Sequence, residues 1–147
     1  MARGVFHYIL APVDGSRPAM EAGRFAIRLA ALYEARITFV YVVDAALIDE
    51  LVAVSRKPAE QVRQDLEVTG QRYLDHLAHL AAEAQLEVDQ VICQGIPYLE
   101  ITKLAEERGV DLIVMAQVGR RGPPRILVGS VTERVLEYAP CPVLVVK

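Results

Sequence analysis

Cysteine is scarce: Cys93 and Cys141 are the two in 147 residues, and neither lies in a motif. This excludes a disulfide framework and a zinc site. Each falls in or beside an apolar stretch, which suits a small core residue in a reducing compartment rather than a reactive thiol. Positive charge is not in surplus either. Lys and Arg number 16 against 19 Asp and Glu, for a net charge of −3. No basic stripe is interleaved with aromatics, so nucleic acid is not an expected partner. No apolar run reaches the ~20 residues that a membrane helix needs. The short apolar run after Arg3 and His7 ends at Asp14 and does not make a signal peptide. The expectation is a cytoplasmic protein with no membrane partner.

Chemical machinery is also thin. The chain has no serine–histidine–aspartate set, no paired carboxylates and no ligand cluster. His76 and His79 stand three apart without further ligands and read as a solvated helix face. Two phosphate-binding signatures are missing: the loop ending in glycine–lysine–serine, and three close glycines after the first strand. The protein is therefore not expected to be an enzyme.

Apolar residues make up 53% of the chain, enough for the full core of one domain, 1–147. Residues 8–13, 36–43, 87–94, 112–115 and 141–147 read as strands. The first, YILAPV, does not alternate, which points to burial on both faces of a parallel sheet. Helical stripes fill the intervals. Ser16 and Pro18 open one, with Ala22, Phe25, Ala26, Leu29, Leu32 and Tyr33 on its inner face. A long helix over 58–86 carries Val62, Leu66, Thr69, Gly70, Tyr73, Leu77, Leu80 and Ala84, and Gly70 implies a close contact with the sheet. Residues 45–57 have the spacing of a short amphipathic helix and read as a connector rather than a lid over the site, with Asp44 capping it in preference to facing a ligand. Pro97 opens a helix that buries Ile101, Leu104 and Ala105 and that Gly109 ends. Strands alternating with helices imply an open parallel five-stranded sheet, helices on both faces, of the α/β class.

The most informative stretch is 111–130, DLIVMAQVGRRGPPRILVGS. It reads as strand, glycine-bearing loop and helix start, with Ser130 and Glu133 forming a capping box. Free N–H groups at a helix start, and the helix dipole, favour an anion. Gly119, Gly122 and Gly129 allow close approach or positive φ, and Ser130 and Thr132 offer hydroxyls. A phosphate chain is the cargo this suggests; the alternative is a helix capped for its own sake. Arg120, Arg121 and Arg125 are either a solvated loop or help with phosphates. Asp14, at the end of the first strand, is either a turn carboxylate or a contact to a nucleotide and its metal.

These stretches resemble the universal stress protein family. In nucleotide-binding members a strand of the D-L-I-V-M type precedes G-x2-G-x9-G-[ST]. Here Ala116 replaces the first glycine, and Gly119, Gly129 and Ser130 match the rest. Residues 9–16, ILAPVDGS, and the tail from Ser130 to Val146 are similar as well, so the resemblance runs nearly end to end.

The resemblance implies a Rossmann-like sheet of order 3-2-1-4-5, which sets the first and fourth strands side by side. It implies ATP, or ADP or AMP, with Mg or Mn accompanying a triphosphate and Asp14 reaching the metal. Pro12, Val13 and Asp14 would line the adenosine side, with Val42 at the adenine edge. Met115, Ala116, Gly119, Gly129, Ser130, Val131 and Thr132 would form the phosphate side. At most a slow ATPase activity would follow. It also implies a homodimer through the C-terminal strand, 142–147, acting in stress response or signalling. The other reading is a structural or signalling dimer of the same fold that binds no nucleotide.

Overall fold

The structure, a computed structural model, describes residues 5–119 and 128–147. The three arginines of the glycine-bearing loop, with Gly122, Pro123 and Pro124, lie outside the described residues. Five strands form one parallel sheet: β1 (Tyr8–Pro12), β2 (Arg36–Asp44), β3 (Val88–Gly95), β4 (Leu112–Ala116) and β5 (Val143–Val146). Their order is β3-β2-β1-β4-β5, as the resemblance implies, and β1 pairs directly with β4 through Ile9 with Leu112 and Leu10 with Ile113. The helices are α1 (Arg17–Tyr33), α2 (Ala45–Ser55), α3 (Ala59–Glu83), α4 (Pro97–Arg108) and α5 (Ser130–Tyr138). None of them is long and apolar enough to cross a membrane.

Strand residues alternate between two cores. Ile9, Ala11, Ile37, Phe39, Tyr41, Leu112 and Val114 face α1 and α3; Leu10, Val40, Ile113 and Met115 face α4 and α5. The central strands are buried on both sides, so their sequences run apolar without alternation. At the amino ends of the strands, the Arg108 guanidinium beside Asp89 holds that carboxyl below its usual range and also reaches the Tyr8 hydroxyl. Cys93 and Cys141 are partly buried in the α4–α5 core. Burial pushes the Cys93 thiol up to about 11, so both behave as unreactive packing groups.

Local sequence rules hold at several ends. The Ser16 hydroxyl accepts the Ala19 N–H at 3.2 Å and caps α1, Asp44 caps α2 through Ala46 N–H at 3.0 Å, and Gly109 ends α4 at φ 66°. Two stripes need correction. In α1 the inner face is Ala19, Ala22, Gly23, Ala26, Ile27 and Ala30, whereas Leu32 is 76% exposed. Small residues let α1 lie close to its neighbours; a Cβ on Gly23 would stand 2.8 Å from Leu77 Cδ1. In α3 the buried face is Val62, Gly70, Leu74, Leu77, Ala78 and Ala81, while Ala84 is exposed. Leu66, Tyr73 and Leu80 pack at the margin of this face, and Ala84 is the C-cap, past the last helical residue.

Gly70 makes the close contact its position implies. A Cβ there would lie 2.5 Å from Cε1 and 2.6 Å from Cγ of Tyr41, whose side chain is 3% exposed. Gly70→Ala gains about 1 kcal/mol of helix propensity but overpacks the ring by about 1–3 kcal/mol. The expected net result is a modest loss of stability in urea unfolding. A gain would show that the ring yields freely.

Candidate functional site

Two turns meet at the carboxyl ends of β1 and β4. One follows β1 and carries Asp14, Gly15 and Ser16; the other leads from β4 into α5. Between them and β2 lies a cleft with an empty volume of about 780 Å³, counting its open mouth. It stands where the strand order reverses, the expected place for a ligand in an open α/β sheet.

The cleft brings together every residue singled out from the sequence. Pro12, Val13, Asp14 and Val42 lie on one side. Met115, Ala116, Gly119, Gly129, Ser130, Val131 and Thr132 lie on the other. Sequence reading missed Ala19, Val40, Pro97, Ile101 and Val118, which also line it, as does Asp44, which caps α2 as well. Pro97 and Ile101 were readable from topology. A right-handed crossover from edge strand β3 to β4 must carry α4 over the face of β2 and β1. Val40, Val42, Pro97, Ile101 and Met115 make an apolar slot, while Asp14, Ser130 and the start of α5 make a polar end.

The capping box does not form. Gly129 is the N-cap, at φ −65° and ψ 157°, and its carbonyl accepts the Glu133 N–H at 2.9 Å. Ser130 is therefore the first residue inside α5, exposed at the cleft, and Glu133 lies one position too far to complete the box. The reason is space: a Cβ on Gly129 would stand 3.2 Å from Val118 Cα and 3.4 Å from the Gln117 carbonyl oxygen. Among the described residues no side-chain hydrogen bond caps α5, and the first N–H groups of a helix have no intrahelical partner.

Gly119 and Gly129 do not use positive φ; both are sites of close approach. A Cβ on Gly119 would meet Asp14 Oδ2 at 2.5 Å, so the carboxylate leans over that glycine. Its other oxygen accepts the Ser16 N–H at 2.9 Å, the turn role expected of an aspartate there. Ala116 ends β4 and pairs with Val146. Its φ is not positive, and it lines the cleft at the strand end. Alanine for glycine thus strains no backbone at this position.

Thr132 is 3% exposed, and its hydroxyl donates to the Ala116 carbonyl at 2.8 Å. This ties the first turn of α5 to the end of β4, so the hydroxyl is committed to the frame. Thr132→Val removes the bond at constant shape. Chemical denaturation should show a loss of about 1–2 kcal/mol, with Thr132→Ser recovering most of it; an unchanged midpoint would mean the tie carries no stability.

Among the described residues no group of three or more histidines, cysteines or acids could hold a metal ion. His79 pairs with Glu83 at 2.8 Å and His76 lies 3.4 Å from Arg24, both on exposed surface.

Fold and cleft define a doubly wound α/β protein with an open cleft at its switch point. The chain belongs to the universal stress protein family, whose model matches residues 6–147. It is 38% identical over 143 residues to the universal stress protein MJ0531 of Methanocaldococcus jannaschii, covering 97% of this chain and 83% of that one. It is 30% identical to MJ0577 of the same organism, and MJ0577's solved structure superposes with a TM-score of 0.85 over 97% of this chain and 96% of that one. The universal stress protein UspA of Lactobacillus plantarum matches at 28% identity and TM-score 0.85 over the whole of both chains. More distant chains share the fold. They include a universal stress protein solved with cAMP (22% identity, TM-score 0.74), one from Archaeoglobus fulgidus with dAMP (19%, 0.67) and one from Arabidopsis thaliana with AMP (18%, 0.68).

Proposed function

We propose that the cleft binds an adenine nucleotide, ATP or its shorter relatives, and that the protein acts as a cytoplasmic homodimer in stress response or signalling. One observation carries the reading. Two turns more than a hundred residues apart in sequence converge on one cleft, apolar at one end and with, at the other, a helix start whose N-cap, Gly129, has no side chain. The apolar slot suits a purine, and the α5 N-terminus suits phosphate oxygens. Relatives of the same fold solved with AMP, dAMP and cAMP support the class of ligand.

In this reading Pro12, Val13 and Val42 flank the base and ribose. Met115, Ala116 and Gly119 border the phosphates from the β4 side; Gly129, Ser130 and Val131 do so from α5, with Thr132 holding the two together. Asp14 faces the nucleotide's polar groups. A Mg or Mn ion would come with the triphosphate, since a single carboxylate plus phosphate oxygens is the usual setting for Mg. The described residues hold no base beside a nucleophile, and the role assigned is binding. The dimer would form through residues 142–147, because β5 is an edge strand, half-buried and apolar along its length.

The test is to denature the purified protein and chromatograph what it releases. ATP, ADP or AMP in near-stoichiometric amount supports the reading. An empty trace, together with no binding of added magnesium ATP, favours a dimer of this fold that takes no nucleotide.

A further inference from the structure

We propose that Tyr73, on α3, is a positioning residue for the cleft: its ring, packed against Gly15, sets the turn that aims the Asp14 carboxylate. This rests on reading the cleft as a nucleotide site, but the contact itself lies outside the cleft, since Tyr73 does not line it.

Gly15 stands at φ +83°, a conformation that L side chains rarely adopt. A Cβ there would also lie 2.6 Å from Tyr73 Cζ and 2.9 Å from its hydroxyl oxygen. Glycine is thus required twice, once for the backbone and once for the ring. The ring's own seat is fixed from below. Gly70, one turn earlier on α3, lets the helix settle onto Tyr41, and the Tyr41 and Tyr73 rings pack with centroids 6.4 Å apart, tilted by 41°. A continuous stack therefore runs from the sheet through Tyr41 and Tyr73 to Gly15.

Asp14 is the next residue back. One of its oxygens accepts the Ser16 N–H across Gly15, and the other leans over Gly119 on the far loop. The carboxylate bridges the two turns that make the cleft, and its aim depends on the geometry of the Asp14–Ser16 turn. Among the described residues, Tyr73 is the side chain against which a Cβ on Gly15 would press most closely. Removing the ring frees the turn without touching a residue that lines the cleft.

A ring that merely fills the core makes a different prediction, and two readouts separate them. The first needs no ligand. In Tyr73→Leu, hydrogen exchange at the Ser16 amide should quicken about tenfold while the Phe39 amide in β2 stays protected; Tyr73→Phe should behave as the native chain. Equal quickening at Phe39, or none at Ser16, overturns the proposal. The second is magnesium ATP affinity measured in a cycle with Asp14→Asn. Tyr73→Leu should weaken binding about tenfold alone and add little in the Asp14→Asn background. Losses that multiply independently overturn it. If Tyr73→Leu does not fold, Tyr73→Met, which keeps more of the ring's volume and leaves Gly15 untouched, is the replacement with the same expected outcomes. If the native protein takes no nucleotide, the binding reading falls, and the exchange at Ser16 alone decides whether Tyr73 sets the turn.

Discussion

Gly129→Val is expected to weaken nucleotide binding at least a hundredfold, about 2.7 kcal/mol, while the protein stays folded. The backbone at Gly129 is extended, so valine can adopt its φ and ψ. The obstacle is contact. The first carbon of any side chain would press on Val118 Cα at 3.2 Å and on the Gln117 carbonyl oxygen at 3.4 Å, both backbone atoms that cannot rotate aside. Valine's two further methyls add to the conflict. The Gly129 N–H also donates to that same carbonyl at 2.7 Å, a bond that pins the α5 start to the end of β4. Relief comes from pushing α5 away from residues 117–119, which opens the polar end of the cleft. The sheet pairs elsewhere and does not depend on this contact, so the stability cost should stay near the 1–3 kcal/mol of ordinary overpacking. Calorimetry with magnesium ATP and a thermal melt, run on the same sample, check both halves. Normal affinity in a folded variant would mean the phosphates bind elsewhere.

If the proposed dimer forms through β5, Val145→Pro is expected to convert it to a monomer without unfolding the chain. In a parallel pair, alternate residues turn their backbone polar groups to the neighbouring strand. On β5 the carbonyls of Pro142 and Val146 accept from Ile113 and Gln117 at 3.0 and 2.9 Å, so the even-numbered residues serve β4. Val143 and Val145 turn theirs to the open edge. Proline at 145 removes an outward N–H, leaves the β4 ladder intact, and suits an edge strand. Light scattering should show the mass falling to that of one chain, with far-ultraviolet dichroism unchanged. A variant that remains dimeric would place the interface on another face.

The parts of this molecule that were legible in sequence share one property: they are decided locally or by burial. YILAPV and LIVM run apolar because both faces of β1 and β4 are covered, and Ser16, Asp44 and Gly109 act on their own helix ends. The cleft was legible because its two turns carry glycines and an aspartate at strand ends, and the family resemblance supplied the strand order that joins them. What was missed depends on tertiary contact. Ser130 has the right chemistry for an N-cap, yet the cap falls one residue earlier, on Gly129, where the backbone of 117–119 crowds any side chain. Leu32 has the periodicity of a core residue, but α1 buries its small-residue face instead. Ala116 looked like a defect in a glycine motif; it ends a strand without positive φ, so alanine strains no backbone there.

The account stands on the cleft taking an adenine nucleotide between β2 and the start of α5. Titration calorimetry of nucleotide-free protein with magnesium ATP, and with magnesium GTP under the same conditions, tests that most directly. Saturable heat at one ATP per chain, with GTP far weaker, is the predicted result. No heat with ATP, or equal binding of both nucleotides in a protein whose fold is intact, would contradict it.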